Sequence, residues 1–480
     1  MTERARLTSL STKLFYGFGS VAFGVKDNGF STLLLLFYNQ VVGLPSQLVG
    51  AAIMIALVVD AFLDPIVGQL SDNLRSRWGR RHPFMYASAL PVALSYLLLW
   101  NPPHWSNGAL FLYLVIVAIV VRTFITFYEI PSSALVAELS DDYDERTVFF
   151  AWRFFFGWAG GLSIAILAYR VLLVPDSTHP VGQLNPAGYA SYGLVAAIIM
   201  FAAILISAAG THRHIPQFHV PPPRRISVGT MIAEMFATLA NRSFLMLMTA
   251  GLFFYAATGV VFALNVYFQT YLWGLSAKEI SIFTLLGFAA AALAFGFALP
   301  LSKRYGKKYS AIALFVLALA IGAAPLALRL VNLFPENDAR LLLPLLLGFA
   351  TLSLTLSIAS TILLASMLTD VVEDNVLRTG RRAEGLFFAA SSFMQKTSSA
   401  AGVFLSGLML WLAGFPAAAQ PGHVDMDIVR NLAFVYLAIL VLLYGIAMVF
   451  VGYYRITRES HEENLKKLAG EAGRAESVLD

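Results

Sequence analysis

The chain of 480 residues contains no cysteine and little charge. Without cysteine it cannot form a disulfide or bind a metal through thiolates. Lys, Arg, Asp and Glu make up 13% of the residues, whereas soluble domains carry roughly 25%. The first residues, MTERARLTSLSTK, lack the short apolar run and the cleavage site of a secretory signal, so we expect no cleaved signal peptide. The low charge content argues against an ordinary soluble domain.

Apolar sequence takes the place of the missing charge, at 58% of the residues. Stretches of about 20 apolar residues, the length that crosses a hydrocarbon core of ~30 Å, recur along the whole chain. A soluble protein with a very large core is a poor alternative, because it would need a dozen long core helices. Twelve membrane spans are predicted near residues 12–40, 46–72, 83–101, 108–137, 147–174, 188–211, 242–271, 278–300, 308–330, 341–369, 384–414 and 430–454.

The chain divides into two halves of six spans each. A polar, proline-rich segment, THRHIPQFHVPPPRRISVGT, separates the sixth span from the seventh. The basic turns GQLSDNLRSRWGRR and LPLSKRYGKKY follow the second and eighth spans, six spans apart. Such parallel repeats are typical of the major facilitator architecture. We therefore predict an all-α membrane protein with the major facilitator fold and twelve transmembrane helices in two six-helix pseudo-repeats. Its predicted parts are an N-terminal bundle (1–211), a central cytoplasmic loop (212–241), a C-terminal bundle (242–455) and a cytoplasmic tail (456–480).

The positions of Lys and Arg predict the orientation, because cytoplasmic loops carry an excess of both. Even-numbered connections and both termini are basic, while odd connections such as VVGLPSQ and NPPHWSNG have almost no cations. Both termini and the central loop are therefore predicted to be cytoplasmic, in a multi-pass protein of the plasma membrane, expected to be a bacterial inner membrane. These loops account for the formal net charge of +5, so no nucleic-acid partner is expected. We expect a monomer in the lipid bilayer.

Two carboxylates lie within the second span, in VVDAFLDPIVG. Asp60 and Asp64 share one helix face, and a carboxylate at mid-bilayer costs ~2.5–3.5 kcal/mol. Their repulsion favours a proton or a hard cation such as Na⁺ between them, and Pro65 loosens the helix beside them. A surface pair held by the basic loop at 75–81 is the alternative, but at about 1.5 Å per residue that loop is too distant. We predict Asp60 and Asp64 as ligands of a coupling cation, which is Na⁺, Li⁺ or H⁺.

Further ionisable residues lie within the spans. Glu129 lies seven residues after Arg122 on the fourth span, Arg153 lies among aromatic residues on the fifth, and Lys396 is central in the eleventh. Charges that face one cavity would neutralise each other and present hydrogen-bonding groups to a polar solute. For Glu129 and Arg153, a structural ion pair and direct substrate contact are equally open. The central position of Lys396 favours a functional role.

Other charged residues in the spans carry weaker signals. For Lys26 and Asp27 on the first span, a local ion pair and a functional role are equally open. Arg122 and Glu138 are interpreted as groups that orient their helix.

Two mixed-charge cytoplasmic segments, DDYDER (141–146) and EDNVLRTGRRAEG (373–385), are interpreted as gate or hinge loops. Their ion pairs would form in one conformation and break in the other. Together with the basic turn after the second span and Asp370 just before the second segment, they give the predicted gating residues Arg75, Arg77, Arg80, Arg81, Asp142, Arg146, Asp370, Arg381 and Arg382.

Several segments together resemble one transporter family. They are KLFYGFGS, FYNQVVGLP, DAFLDPIVGQLSDNLRSRWGRRHP, YEIPSSALVAELSDDYDERT, TDVVEDNVLRTGRRAEG and SFMQKTSSA, and they run from residue 13 to about 402. The chain is similar to the glycoside–pentoside–hexuronide:cation symporter family, the melibiose-permease group of the major facilitator superfamily. The resemblance implies that Asp60 and Asp64 are the cation-site aspartates. It also implies that Glu129 and Arg153 line the sugar and cation pocket, and that Lys396 lies near the cation site.

The chain departs from this family at two sugar-contacting positions. Gly24 stands where the sugar transporters have a first-helix aspartate, with Asp27 about one turn later. Thr361 stands where they have a tenth-helix tryptophan, and SLTLSIASTILLAS around it contains no aromatic residue. Relatives that resemble the sodium-dependent lysophosphatidylcholine transporter keep the aspartates, the arginine and the lysine without this sugar grip. A lysolipid or other amphiphile is therefore the alternative substrate.

We expect a cation-coupled symporter that moves a sugar or glycoside by alternating access, with its site near the membrane midplane between the halves. The predicted substrate-binding residues are Asp27, Glu129, Arg153, Thr361 and Lys396. No cofactor besides the coupling cation is expected, and the direction of transport stays open. An intramembrane enzyme is disfavoured, because the spans lack acid–nucleophile motifs and the eight histidines fall in loops or termini. A channel is disfavoured because it needs no coupled charges.

Overall fold

The computed structural model describes residues 9–140, 142–217, 229, 233, 241–379 and 384–454. Within these ranges the regular secondary structure is helical, and twelve long helices follow the predicted spans in order. Most of the predicted central loop (212–241) and the predicted tail (456–480) lie outside the described residues.

The first six helices are numbered α1 to α6. α1 runs through the consecutive segments Leu10–Phe18, Ser20–Asn28, Gly29–Leu33, Leu34–Leu36 and Phe37–Val41. The others are α2 (Ser46–Asn73), α3 (His82–Leu99), α4 (Asn107–Leu139), α5 (Tyr143–Leu167, continued by Ala168–Leu172) and α6 (Pro186–His212).

The second six helices are numbered α7 to α12. They are α7 (Arg242–Tyr267, continued by Phe268–Leu272), α8 (Ala277–Tyr305), α9 (Lys307–Leu330), α10 (Leu342–Thr379), α11 (Glu384–Leu412) and α12 (Met426–Gly452). Ten of the helices are long and apolar enough to cross a membrane. The other two are α1, which is divided into short segments, and α11, which carries the polar run SSFMQKTSSA.

Local sequence signals explain where several helices begin. At the start of α1 the side chain of Ser9 accepts a hydrogen bond from the backbone N–H three residues later. At the start of α6 the side chain of Asn185 caps the helix in the same way, and Pro186 is its first residue. Short polar side chains at the cap and proline at the first helical position satisfy or remove N–H groups that have no partner inside the helix.

Two histidines lie at the ends of helices and not in loops. His82 is the first residue of α3 and His212 is the last residue of α6. His82 is buried, and its Nε2 atom lies 3.0 Å from Oγ1 of Thr211. The expectation that all histidines fall in loops or termini is wrong for these two, because α3 and α6 extend beyond their apolar runs.

α1 is wound irregularly at two points. Its segments Gly29–Leu33 and Phe37–Val41 are π-helical turns. A π-helical turn accommodates one extra residue and is frequent at functional sites. The first turn contains Phe30, and the second contains Asn39 and Gln40, which take part in the contacts described below.

Glycines bring the backbones of α1 and α5 close together. A Cβ atom at Gly24 would overlap the carbonyl oxygen of Gly157. A Cβ atom at Gly161 would lie 2.9 Å from the carbonyl oxygen of Gly24. Only a residue without a side chain permits such an approach, so helix packing requires glycine at position 24.

Contacts between residues divide the chain into two compact units. Unit 1 comprises Met1–Val228, Gly259–Thr284 and Ala400–Val429, and therefore contains α1 to α6 with parts of α7, α8, α11 and α12. Unit 2 comprises Gly229–Thr258, Leu285–Ser399 and Arg430–Asp480. The division into two bundles at residues 211 and 242 follows the sequence repeat and stays a prediction.

Two apolar clusters form among the described residues of unit 2. One forms around Phe244, Phe387 and Tyr454, with the rings of Phe244 and Phe387 meeting edge to face at 4.5 Å. The other joins α8, α9 and α10 through small side chains such as Ala311 and Ala359. Small residues at helix contacts let the backbones approach, which is how helices associate in a membrane.

Candidate functional site

The centre of the site is a buried carboxylate on α2. Asp60 is 1% exposed, and its Oδ2 accepts a hydrogen bond of 2.7 Å from Nη2 of Arg122 on α4. Its Oδ1 accepts a hydrogen bond of 2.7 Å from the hydroxyl of Thr126, which also lies 3.4 Å from Oδ1 of Asp64. Because a hydroxyl has one proton, Thr126 donates mainly to Asp60. The two aspartates thus face the same side of α4, as their four-residue spacing predicts.

Arg122 is the main feature that the sequence interpretation missed. The sequence favours a helix-orienting role for Arg122, and in the structure its side chain is 3% exposed and forms the ion pair with Asp60. Its guanidinium lies 5.2 Å from the ring centroid of Phe30 on the first π-helical turn of α1. Arg122 and Thr126 are four residues apart on α4, the spacing of the two aspartates on α2. This matched spacing is the sequence feature that could have paired Arg122 and Thr126 with the two aspartates.

Pro65 follows Asp64 inside α2, and the helix continues through it without a break. Proline has no N–H group, so the carbonyl of Ala61 lacks its usual donor from four residues later. An extra carbonyl lone pair is therefore present one residue after Asp60.

Arg153 binds the backbone of α4. Its Nη1 donates to the hydroxyl of Ser132 at 3.1 Å, and its Nη2 donates to the carbonyl oxygen of Glu129 at 3.2 Å. The guanidinium also lies 5.1 Å from the ring centroid of Phe23. In the described structure Arg153 therefore holds the main chain at Glu129, and the Glu129 side chain is partly exposed.

The remaining predicted substrate residues make local contacts. Lys26 is buried and forms an ion pair of 2.6 Å with Asp27, which is 62% exposed. That geometry is the local pair that the sequence left open. Lys396 on α11 is partly buried, and the hydroxyl of Thr361 on α10 donates to the carbonyl oxygen of Ser357. Lys396 and Thr361 belong to unit 2.

The predicted gating arginines after α2 bind acidic groups in the same unit. Arg80 donates to Glu138 on α4 at 2.7 Å, and Arg81 donates to the same carboxylate oxygen. Arg81 also pairs with Asp72 at 3.2 Å, and Arg75 donates to the backbone carbonyl of Asp72. Glu138, interpreted as helix-orienting, thus links the turn between α2 and α3 to α4.

Other predicted gating residues make short-range contacts. The side chain of Asp142 caps α5 by accepting from the backbone N–H of Glu145 at 2.9 Å, and Arg146 donates to the carbonyl oxygen of Ser140 at 2.7 Å. The guanidinium of Arg77 lies 5.6 Å from the ring centroid of Trp78.

In unit 2, Lys307 at the start of α9 forms an ion pair of 2.6 Å with Asp370 on α10. Arg381 and Arg382 lie outside the described residues. The gating roles of all these residues stay predictions.

A polar cluster joins segments of unit 1 at the helix ends opposite the N-terminus. We call it the outer cluster, and it consists of Asn39, Gln40, Tyr267, Tyr271 and the backbone of 416–419. Tyr267 donates to Oδ1 of Asn39 at 2.9 Å, and Tyr271 donates to Oε1 of Gln40 at 2.9 Å. The side chain of Gln40 also accepts from the N–H of Ala419 and donates to the carbonyl oxygen of Pro416. The outer end of α1 is thus bonded to the outer end of α7 and to the connection before α12.

A strained residue belongs to the same cluster. Ala418 has φ +52°, in the left-handed region that non-glycine residues seldom adopt. Its N–H donates to the carbonyl oxygen of Asn39 at 3.1 Å. Such strain persists only where the surrounding contacts enforce it, so the outer cluster holds this connection firmly.

A half-open apolar cavity of about 270 Å³ lies between α1, α5 and α6 in unit 1. Its lining includes Val21, Val25, Phe156 and Ile199, and the hydroxyl of Ser163 is its polar side-chain group. The chemistry of this cavity suits a hydrocarbon group.

Comparisons with known proteins place this geometry in context. The family described as MFS/sugar transport protein matches residues 15–458. An uncharacterised symporter of Synechocystis sp. is 26% identical to this chain, over 95% of this chain and 96% of its own. The inner membrane symporter YicJ of Escherichia coli is 24% identical over 97% and 96% of the two chains. The isoprimeverose transporter of Lactiplantibacillus pentosus is 24% identical over 93% and 89%.

Solved structures share the fold. A point mutant of the nucleoside transporter NupG has a TM-score of 0.62 at 12% identity, over 92% of this chain and 99% of its own. The xylose transporter XylE from E. coli has a TM-score of 0.57 at 15% identity, over 93% and 99%. At such identities the likeness shows the fold alone.

Proposed function

Because the chain belongs to the family of MFS/sugar transport proteins, we propose that it is a cation-coupled symporter that carries a sugar or glycoside. The family match and the shared fold confirm the family and fold class predicted from the motifs. The chain is thus a multi-pass membrane transporter and not an enzyme. The cation, the sugar and the residue roles below are our proposal.

The observation that carries the proposal is the pair of aspartates on α2. Asp60 and Asp64 face the Thr126 hydroxyl within 3.4 Å. Two carboxylates and a hydroxyl are oxygen ligands of the kind that hard cations prefer. A pair of carboxylates within a membrane helix is costly without a function. We assign the binding of the coupling cation, Na⁺, Li⁺ or H⁺, to this group.

The substrate residues proposed for unit 1 are Glu129, Arg153 and Asp27. Arg153 fixes the backbone of α4 at Glu129, three residues after Thr126. A shift of α4 on cation binding would therefore move Glu129 together with the Arg153 side chain that is bonded to it. Coupling requires that each ligand strengthens the binding of the other, which thermodynamic linkage makes reciprocal. Lys396 and Thr361 remain the predicted contribution of unit 2.

The outer cluster supports transport by alternating access. Its hydrogen bonds hold the outer ends of α1 and α7 together, so they would have to break for substrate to enter from that side. We propose that both termini are cytoplasmic and that the protein lies in a plasma membrane, where the outer cluster would face outward. The YicJ protein, a relative, is named an inner membrane symporter.

A second substrate class is favoured by the apolar cavity. A lysolipid needs room for a hydrocarbon chain as well as charged groups for its head, and the cavity beside α1 and α5 provides apolar volume. Gly24 and Thr361 also leave this chain without the aspartate and the tryptophan expected in sugar transporters. A cation-dependent transporter of a lysolipid or another amphiphile is therefore the alternative.

Uptake into proteoliposomes tests the proposal. The purified protein would be reconstituted and offered radiolabelled isoprimeverose, methyl β-glucoside, methyl β-glucuronide and lysophosphatidylcholine under an inward gradient of Na⁺, Li⁺ or H⁺. We expect accumulation of at least one glycoside with one of these gradients, and none when all gradients are absent. Asp64→Asn should abolish the gradient-driven accumulation.

The matched control for this experiment is Asp338→Asn, which changes an exposed aspartate in the connection between α9 and α10. It should retain gradient-driven uptake. Uptake of lysophosphatidylcholine alone would favour the second substrate class. Accumulation by Asp64→Asn at the wild-type level would contradict the proposed cation site.

A further inference from the structure

We propose that Arg122 is a built-in counterion of the cation site, and that the coupling cation binds Asp60 only by displacing the Arg122 guanidinium. This inference rests on the proposed role of Asp60 and Asp64 as cation ligands. It adds a specificity-determining residue that neither the motifs nor the comparisons assign.

The guanidinium occupies the place that a cation bound to Asp60 would need. Oδ2 of Asp60 accepts from Arg122 and Oδ1 accepts from Thr126, each at 2.7 Å. Each carboxylate oxygen therefore already accepts one hydrogen bond. A monovalent cation beside this ion pair would also meet the positive charge of Arg122 in a poorly screened environment. The bound cation and the bound guanidinium thus exclude each other.

Arg122 donates fewer hydrogen bonds than Arg153, the buried arginine of α5. Its Nη2 donates to Asp60, but its Nε has no acceptor in the described part of the chain although it is buried. Arg153, by contrast, donates from two nitrogens to Ser132 and to a backbone carbonyl. A buried donor without an acceptor carries a desolvation cost. This cost lowers the barrier to moving Arg122 away from Asp60.

A displaced Arg122 has other anions to approach. Glu129 lies on the same helix, and Asp27, which pairs with Lys26, lies on the segment of α1 that contacts α4. Both are proposed substrate residues, and Glu129 lies two turns further along α4. Cation binding at Asp60 would therefore send a positive charge toward the substrate residues, which links the two ligands through one side chain.

The same residue explains how the empty carrier can return. A symporter must change conformation without its cation after release, and the buried Asp60 without a compensating charge would oppose that step. In the absence of the cation, Arg122 provides one positive charge to Asp60. It therefore replaces the coupling cation during the return step.

Equilibrium binding of ²²Na⁺ to the purified full-length protein in detergent tests this inference without any transported substrate. Choline would replace sodium in the buffer at a fixed pH. We expect Arg122→Gln to bind Na⁺ about tenfold more tightly than wild type, since the competing charge is lost. Arg122→Lys keeps a positive charge and should stay near wild type. In Asp60→Asn/Arg122→Gln the gain should vanish.

The control variant is Arg170→Gln, which removes an exposed arginine that donates to Ser281 and should leave Na⁺ binding unchanged. Thermal melting separates binding from folding, since sodium should raise the melting temperature of Arg122→Gln more than that of wild type. Recovery of folded Arg122→Gln in sodium but not in choline would also support the inference.

Three results would overturn the inference. The first is a Na⁺ affinity of Arg122→Gln that is equal to or below that of wild type. The second is tighter Na⁺ binding that persists in Asp60→Asn/Arg122→Gln. The third is failure of Arg122→Gln to fold in either buffer while the double variant folds. Contradiction of the symport proposal itself is a separate outcome. It would appear as absence of gradient-driven glycoside uptake by wild type, whatever the binding result.

Discussion

The two aspartates of α2 occupy different environments although the sequence presents them as a pair. Asp60 is 1% exposed and has hydrogen bonds to both carboxylate oxygens, whereas Asp64 is partly exposed and lies further from Thr126. The four-residue spacing predicts their shared face. It cannot predict this asymmetry, because the asymmetry arises from Arg122 and Thr126 on a helix that is about 60 residues away in sequence.

We expect Asp60→Asn to destabilise the protein far more than Asp64→Asn. The first change leaves the buried Arg122 charge without its partner, which costs about 3–5 kcal/mol. The second changes a partly exposed carboxylate and should cost about 1 kcal/mol or less. Thermal melting of the purified variants in sodium-free detergent buffer measures the difference. Asp60→Asn/Arg122→Gln should recover stability, and equal melting of the two single variants would refute the asymmetry.

Thr126→Val should weaken the apparent affinity for the coupling cation. The change removes the hydroxyl that donates to Asp60 and faces Asp64, and a hydrogen bond to a charged group is worth about 1.5–3 kcal/mol. The cation concentration for half-maximal glycoside uptake should therefore rise about tenfold or more. Thr123→Val, on the same helix, is the matched control and should leave this concentration unchanged. A similar rise in both variants would indicate a general effect on α4.

At the scale of the helices, the contact between α1 and α5 explains one departure from the sugar-transporter pattern. Gly24 stands where those transporters have an aspartate, and the resemblance alone cannot say why. In the structure a side chain at this position would overlap the carbonyl oxygen of Gly157. The sequence could not show this, because it does not reveal which helix lies against α1. An aspartate at this position would not fit the observed packing of α1 against α5.

Gly24→Ala should destabilise the protein by about 1–3 kcal/mol, because the added methyl group forces two backbones apart. The melting temperature of the purified variant measures this cost. Gly108→Ala is the control, since a Cβ atom at Gly108 would meet nothing within 4 Å. An unchanged melting temperature for Gly24→Ala would show that α1 and α5 pack less closely than the structure indicates.

At the scale of the whole molecule, the sequence predicted the helices better than the contacts between them. Hydropathy located all twelve helices, and the capping residues agree with several of their starts. The outer cluster could not be predicted, because Gln40 is separated from Tyr271 and Ala419 by more than 200 residues. The FYNQVVGLP motif contains two of its side chains, Asn39 and Gln40, yet their partners become visible only in the fold.

Gln40→Ala should shift the molecule toward a state that is open at the outer end. The change removes the acceptor for Tyr271 and for the N–H of Ala419. Its loss should change the ratio of the open to the closed state by about fivefold or more. Because the chain has no cysteine, Ser46→Cys provides a unique label at a buried outer position. We expect a membrane-impermeant maleimide to label it about fivefold faster in the Gln40→Ala background.

The control for this labelling is Ser106→Cys, an exposed position just before α4. It should react at the same rate in both backgrounds, and from outside the cell if both termini are cytoplasmic. Equal labelling of Ser46→Cys with and without Gln40→Ala would show that the outer cluster does not hold the outer end closed.

The central claim, that cation and sugar cross together through Asp60 and Asp64, is tested most directly by driving the cation with the sugar. Proteoliposomes would be given an inward gradient of the transported glycoside with ²²Na⁺, ⁷Li⁺ or a pH-sensitive dye at equal cation concentration on both sides. We predict that the glycoside gradient drives net cation entry in wild type and none in Asp64→Asn. Glycoside entry by wild type without any cation movement would contradict the account.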